Sequence, residues 1–193
     1  VKKFFKSLEK TACRFYPAFW LYHRLYKHVV KKEVALAHIT GEDIVLNIGC
    51  GAIPFTALHI VQLTGAKVIA LDKDPEAVRM AMHYLKKYGL DKNIEIRVGD
   101  GSPENLPPFT VALIALHIKN KEQMLKNLKT AGSDGGRVVF RQPVEEYRKE
   151  YGSLYNLDEA HGKVIQNMKT FKKSFLFVIS SKESSQQRGG GIS

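Results

Sequence analysis

The run Asp43-Ile-Val-Leu-Asn-Ile-Gly-Cys-Gly-Ala-Ile-Pro-Phe-Thr56 limits what this chain can fold into more than any other segment. An apolar strand, Ile44–Ile48, passes through Gly49-x-Gly51 straight into a helix over Pro54–Leu63. Glycine is needed where the backbone turns sharply or where a ligand must approach the main chain. The helix start aims free N–H groups and the positive end of its dipole at such a ligand. Pro54 suits the first helical turn, where a missing N–H costs nothing.

From Asp43 onward, short β-branched runs alternate with helical stretches. Strand Lys67–Leu71 leads to helix Pro75–Tyr88, which Gly89 closes. Strands Ile94–Val98 and Val111–Leu116 follow, then helix Lys119–Lys129, strand Arg137–Arg141 and a helix opening over Val144–Tyr151. Such alternation makes right-handed βαβ units and a parallel sheet. Lys163–Met168 and Ser174–Ile179 are too close for a helical crossover, so they pair as a hairpin and add an antiparallel strand. The expected fold is α/β: a doubly wound, mostly parallel Rossmann-like sheet with an antiparallel terminal hairpin strand, preceded by N-terminal helices.

Those helices occupy residues 1–40. Phe4, Phe5, Leu8, Ala12 and Phe15 have helical spacing over residues 3–15, Pro17 interrupts, and a second helix runs from Ala18 to His38. Residues 41–180 form the sheet domain, and the Ser/Gln/Gly-rich stretch 181–193 reads as a disordered tail. Charge is uneven. Nine Lys/Arg against two acids in the first forty residues account for seven of the net +11. A nucleic acid or an acidic membrane surface could use that segment, and so could nothing but solvent. No run of apolar residues is long enough to span a membrane, and two cysteines, Cys13 and Cys50, make neither a disulfide framework nor a zinc site. The histidines show no metal-ligand spacing. A cytoplasmic protein is the expectation.

The second strand supplies a partner for the glycine loop. It ends in Asp72, 23 residues after Gly49, where an acid can accept from both hydroxyls of a ribose. Together Gly49, Gly51 and Asp72 imply a nucleoside-containing cofactor. Pro54 stands where the nicotinamide-dinucleotide fingerprint needs its third glycine, which disfavours a pyrophosphate. Asp100, just after the third strand, can face an adenine amino group or simply cap a solvated turn.

These features resemble class I S-adenosylmethionine-dependent methyltransferases from about Ile44 to Ile179, in glycine loop, both acids and terminal hairpin. The resemblance implies S-adenosyl-L-methionine as cofactor, held by Asn47, Gly49, Gly51, Asp72, Asp100 and Leu116. Asn47 departs from the Asp or Glu usual there, and Thr110 replaces a frequent aspartate at the start of strand four. Leu106-Pro107-Pro108-Phe109 precedes that strand, unlike the Asn-Pro-Pro-Tyr/Phe loop of nucleic-acid N-methyltransferases, and reads as a connection.

Within the superfamily, Gly49-x-Gly51-x-Ile53-Pro54-x-Thr56 is similar to the loop of the nicotianamine synthase group. Further likeness lies in Asp72-x-Asp74-Pro75-Glu76-Ala77, Val111–Leu116 and Arg137-Val-Val-Phe-Arg141, and in Tyr26 seven residues ahead of Glu33. That group transfers the 3-amino-3-carboxypropyl arm of S-adenosylmethionine to an amine and releases methylthioadenosine. Tyr22, Tyr26, Val29 and Glu33 share one helical stripe. Glu33 is thus a candidate to accept a proton from an attacking amine, with Tyr26 orienting it; the alternative is core packing, with Glu33 paired to a lysine. His117, at the end of strand four, and Arg141, at the end of strand five, are candidates for substrate binding; Arg141 would hold a carboxylate. Three readings stay open. They are small-molecule transfer (methyl or aminocarboxypropyl), RNA methylation using the basic helices, and a fold that binds cofactor without catalysis.

Overall fold

The computed structural model describes the backbone of residues 16–90 and 92–180, with side chains from residue 24 onward. The expected helix over 3–15, the tail 181–193 and the Tyr22 side chain lie outside the described residues.

Helix α1 spans Tyr16–Leu36. Pro17 sits in its first turn instead of ahead of the helix, at a position where no intrahelical N–H bond is lost. The helix stops two residues before the expected His38 because His38 takes a left-handed conformation (φ 49°). Ile39 N–H then bonds Val34 C=O at 3.0 Å and His38 N–H bonds Ala35 C=O at 3.3 Å, the paired closure of a Schellman motif.

The strands are β1 (Ile44–Ile48), β2 (Lys67–Asp72), β3 (Ile94–Val98), β4 (Val111–Ile114), β5 (Arg137–Pro143), β6 (Gly162–Ile165) and β7 (Phe171–Val178). They form one sheet in the order β3-β2-β1-β4-β5-β7-β6. Every pair from β3 to β5 is parallel, and β7 runs antiparallel to both β5 and β6. The hairpin, the mixed sheet and the doubly wound order are those expected from the alternation.

Between strands lie α2 (Phe55–Thr64), α3 (Pro75–Tyr88), α4 (Lys121–Ala131) and a single turn, α5 (Arg148–Tyr151). The side chain of Asp74 caps α3 by accepting from Glu76 N–H, Pro75 opens it, and Gly89 ends it in the left-handed region. The helix expected over Val144–Tyr151 is instead a 3-10 turn, Glu145–Tyr147, followed by α5, which Gly152 ends.

Strand side chains alternate between two cores. Val45, Val68, Ala70, Val111, Leu113 and Val139 pack under α1, α2 and α3. Leu46, Ile48, Ile69, Ala112, Ile114 and Phe140 face α4. Helix α1 contributes Val30 to the first core, and Ala37, just past its end, joins it. It lies over the β5–β7 half of the sheet, with Arg137 Nη1 donating to Ala37 C=O at 2.7 Å and Lys32 Nζ to Ile165 C=O at 2.8 Å. No helix among the described residues is long and apolar enough to cross a membrane.

Candidate active site

Strand order reverses at β1, between β2 and β4. Open α/β sheets bind ligands in the crevice beyond the strand ends at such a point, and the glycine loop stands there. Gly49 N–H and Cys50 N–H both bond Leu71 C=O, at 2.8 and 3.0 Å, which folds the loop back across the end of β2. Gly49 (φ 83°) has no room for a side chain: a Cβ would lie 3.0 Å from Ala115 Cβ and 3.0 Å from His117 Nε2. Gly51 (φ 68°) differs, since a Cβ there would meet nothing within 4 Å. Its backbone borders open space.

Asp72 ends β2 and is tied to this loop. Its Oδ2 accepts from Gly51 N–H at 2.8 Å and its Oδ1 from Asp74 N–H at 3.1 Å. An ionised carboxylate has about four lone-pair sites, so each oxygen retains capacity for a hydroxyl. Asn47, the last residue but one of β1, is buried. Its amide donates to Leu113 C=O at 3.3 Å, while Oδ1 has no protein partner. Asp100 is exposed and accepts from Ser102 N–H at 3.0 Å, a bond that holds its carboxyl below the ordinary range. Cys50, buried in the loop, has its thiol pushed up to about 12 by burial and by the Asp72 charge, so it carries no nucleophile at neutral pH.

Thr110 lies at the opposite, N-terminal end of β4. Its hydroxyl donates to Asp43 Oδ1 at 2.6 Å, and Arg137 bonds the same carboxylate. Replacement of the usual aspartate by Thr110 therefore concerns how strands β1, β4 and β5 are joined at their base, far from the crevice.

Tyr26, Glu33 and Arg141 come together, but in an arrangement the helical stripe did not foretell. Glu33 is 0% exposed and Arg141 2%. Arg141 Nε donates to Glu33 Oε1 at 2.8 Å and Nη2 to Oε2 at 2.7 Å, a bidentate pair. Ser174 Oγ adds a third donor to Oε1 at 2.8 Å. Arg141 also bonds the Tyr26 hydroxyl, lies 5.0 Å from the Tyr26 ring centroid, and reaches Thr56 Oγ1 at 3.3 Å. The carboxylate expected to accept a substrate proton and the guanidinium expected to hold a substrate carboxylate are thus each other's partners. The reason is the path of α1, whose buried stripe crosses β5 and β7 and sets Glu33 directly over Arg141. Glu33 pairs with a guanidinium and not with a lysine.

His117 follows β4 and is exposed at the crevice mouth, with Nε2 against the Gly49 backbone. Desolvation of the crowded imidazole is the main cause that lowers its pKa; the Asp72 carboxylate opposes, and Lys121, Arg141 and Lys73 add to the lowering. Leu116, half-buried beside it, offers its C=O to Lys121 Nζ at 2.6 Å.

Lys121 was not singled out by the sequence. It is fully buried, and its ammonium donates to Leu116, Ile118 and Tyr151 C=O, each at 2.6 Å. Burial pulls its pKa down to about 8. One signal was available: a lysine in the first turn of a helix opposes the helix dipole, so it needs another reason to be there. Gln166 and Ser174, buried beside Glu33, carried no such mark; Gln166 Nε2 donates to Ser174 Oγ at 3.1 Å.

A family profile described as a methyltransferase domain matches residues 39–187. L-histidine 2-aminobutanoyltransferase of Yersinia pestis is 26% identical over 136 residues, which cover 70% of this chain and 49% of that protein. The chain spans about half the length of the curated relatives it matches. Among solved structures, a variant of MtNAS, a nicotianamine synthase, in complex with S-adenosylmethionine superposes with a TM-score of 0.69 and 21% identity, over 88% of this chain and 65% of that one. An RNA methyltransferase from Salinibacter ruber bound to S-adenosyl-L-homocysteine gives a TM-score of 0.61 and 18% identity, over 79% of this chain and 91% of that one. At these identities the structural likeness is one of fold.

The residues at the crevice fit the cofactor of that fold. Gly51 leaves the backbone open to a ligand, Asp72 keeps lone pairs for a ribose, and Asn47 Oδ1 is a buried acceptor without a protein partner, suited to a donor such as an ammonium. The profile spans most of the chain and the sheet has the order just described, so the protein belongs to the class I S-adenosyl-L-methionine-dependent methyltransferases and uses S-adenosyl-L-methionine as its cofactor.

Proposed function

We propose that this chain transfers the 3-amino-3-carboxypropyl arm of S-adenosylmethionine to the amine of a small molecule, in the manner of the nicotianamine synthase group. One observation carries the reading. Tyr26, Glu33, Thr56 and Arg141, each lying in a segment that resembles that group, meet in a single buried cluster. They are spread over 115 residues of sequence, and the cluster joins α1 to the start of α2 and to β5 and β7. A relative whose name denotes 2-aminobutanoyl transfer to L-histidine gives further support.

Bound S-adenosylmethionine supplies an electrophilic carbon on a sulfonium. This chain's residues hold and align. Gly49, Gly51 and Asp72 take the nucleoside, Asp100 and Leu116 flank the base, and Asn47 meets the amino-acid arm. The Arg141–Glu33 pair fixes α1, and with it Tyr26, over the acceptor's side. Transfers of this kind gain most of their rate from alignment of nucleophile and carbon.

The test is mass spectrometry of the nucleoside released from S-adenosylmethionine in the presence of L-histidine and a panel of free amino acids and diamines. Methylthioadenosine is the expected product. Accumulation of S-adenosylhomocysteine would instead establish methyl transfer. That outcome is the one favoured by the second reading, RNA methylation, which the excess of Lys and Arg in the first forty residues supports; an RNA substrate belongs in the same panel.

A further inference from the structure

We infer that His117 accepts the proton released by the attacking amine, and that Lys121 is the residue that positions it. The inference rests on amine transfer as proposed above and adds the proton's destination.

An amine that enters as an ammonium has no lone pair to attack with, so a base must take one proton. The nitrogen then forms its bond to carbon, the electron pair of the broken carbon–sulfur bond leaves with sulfur as a neutral thioether, and the proton rests on the imidazole until water removes it. Among the described residues, the titratable groups around the crevice are poorly placed for this, with one exception. Glu33 has no exposed surface, and three donors occupy it. Cys50 keeps its proton. Asp72 is bound by loop amides at the nucleoside end. His117 stands exposed at the end of β4, its Nε2 against Gly49. The charges that act on it are those of Asp72 from β2, Lys73 beyond it, Arg141 from β5 and Lys121 from α4. Three of those four are cationic and crowding adds to them, so the ring is neutral at neutral pH and open to a proton.

Lys121 holds the turn that carries the imidazole. Its Nζ binds the carbonyls on both sides of His117, those of Leu116 and Ile118, at 2.6 Å each. Its third proton ties this turn to Tyr151 C=O, at the end of the segment after β5. Gly152 locks the same junction, since a Cβ there would lie 1.7 Å from Lys119 O. A buried ammonium with all three donors spent on carbonyls is an expensive way to fill space; an apolar side chain would do that more cheaply. What it secures is the backbone on either side of one imidazole.

The test begins with the protein alone. The His117 ring, assigned by its loss in His117→Asn, is titrated by NMR; it should titrate below the ordinary histidine range, and Lys121→Met should shift both its resonances and its midpoint. With the fastest amine of the panel, His117→Asn should lower kcat by about a hundredfold or more and abolish the acid limb of the pH–rate profile, with S-adenosylhomocysteine affinity unchanged. Lys121→Met should lower kcat about tenfold, move that acid limb and leave KM for the amine within about threefold. An ordinary or raised His117 midpoint, or an intact acid limb in His117→Asn with methylthioadenosine still released, overturns the inference and leaves the transfer reading standing. Release of S-adenosylhomocysteine overturns the transfer reading, whereas the NMR midpoint still decides on His117.

Discussion

Replacing Glu33 with alanine tests whether α1 is locked to the sheet by a closed ion pair. In the native protein the carboxylate accepts two bonds from Arg141, at 2.8 and 2.7 Å, and one from Ser174 at 2.8 Å, with both charged side chains inside the protein. Removal of one partner of a buried pair leaves the other charge without its counterion, at a cost of about 3–5 kcal/mol. For a chain of this size each kcal/mol lowers Tm by about 2–4 °C, so Glu33→Ala should lose roughly 6–20 °C. The double variant Glu33→Ala/Arg141→Met removes both charges, and swapping a buried pair for apolar residues is often neutral or stabilising. It should therefore recover most of the loss, a non-additivity expected of residues in contact. Thermal and urea unfolding of the four proteins complete the cycle. A Glu33→Ala variant within 2 °C of the native Tm, or a double variant as unstable as the sum of the singles, would refute the closed pair. In that event Glu33 returns as a candidate proton acceptor.

Asp72→Ala should weaken S-adenosylhomocysteine binding by more than about tenfold in calorimetry, because a carboxylate that accepts from two ribose hydroxyls makes bonds worth roughly 1.5–3 kcal/mol each; unchanged affinity would place the ribose elsewhere. Gly49→Ala should lower Tm markedly, since its Cβ meets Ala115 and His117 at 3.0 Å, whereas Gly51→Ala costs the fold only the penalty of a positive φ, about 1 kcal/mol, and shows chiefly as weaker cofactor binding, because its Cβ enters the space left open to the ligand. Equal effects in thermal shift and calorimetry would contradict that contrast. At Asp43, burial pushes the pKa up, but bonds from Thr110 and Thr40 and the Arg137 charge outweigh it, so the folded value lies below the unfolded one. Its stabilisation is then present above the ordinary carboxylate range and vanishes as pH falls through the folded value; urea unfolding should separate Asp43→Asn from the native protein at neutral pH, and the gap should narrow as pH is lowered through the acid range.

The path from residues to site was open where local rules act and closed where two distant side chains choose each other. Hydrophobic alternation, Asp74-Pro75 and Gly89 around one helix, and the short link before β7 lead to a mostly parallel sheet with a terminal hairpin, because each is decided within a few residues. Gly49, Gly51 and Asp72 sit at the switch point for the same reason: strand ends are local, and parallel strands bring them to one edge. Helical spacing also places Tyr26 and Glu33 on one buried stripe. It says nothing of which strand that stripe meets. Glu33 and Arg141 are 108 residues apart, and their pairing depends on α1 crossing β5 and β7, a tertiary fact with no trace in either segment. A long charged side chain read alone looks poised for substrate, and only its burial shows that a partner inside the protein already holds it. Thr110 teaches the converse, since a departure from the family pattern at the base of β4 loses its functional meaning once strand direction puts it away from the crevice. Lys121 lies between the two cases. Its position in a first helical turn is locally unfavourable, and local cost without local benefit is the mark of a residue whose partners lie elsewhere in the fold. Here the distant partner is Tyr151 C=O, 30 residues on, which joins the two nearby carbonyls that flank His117.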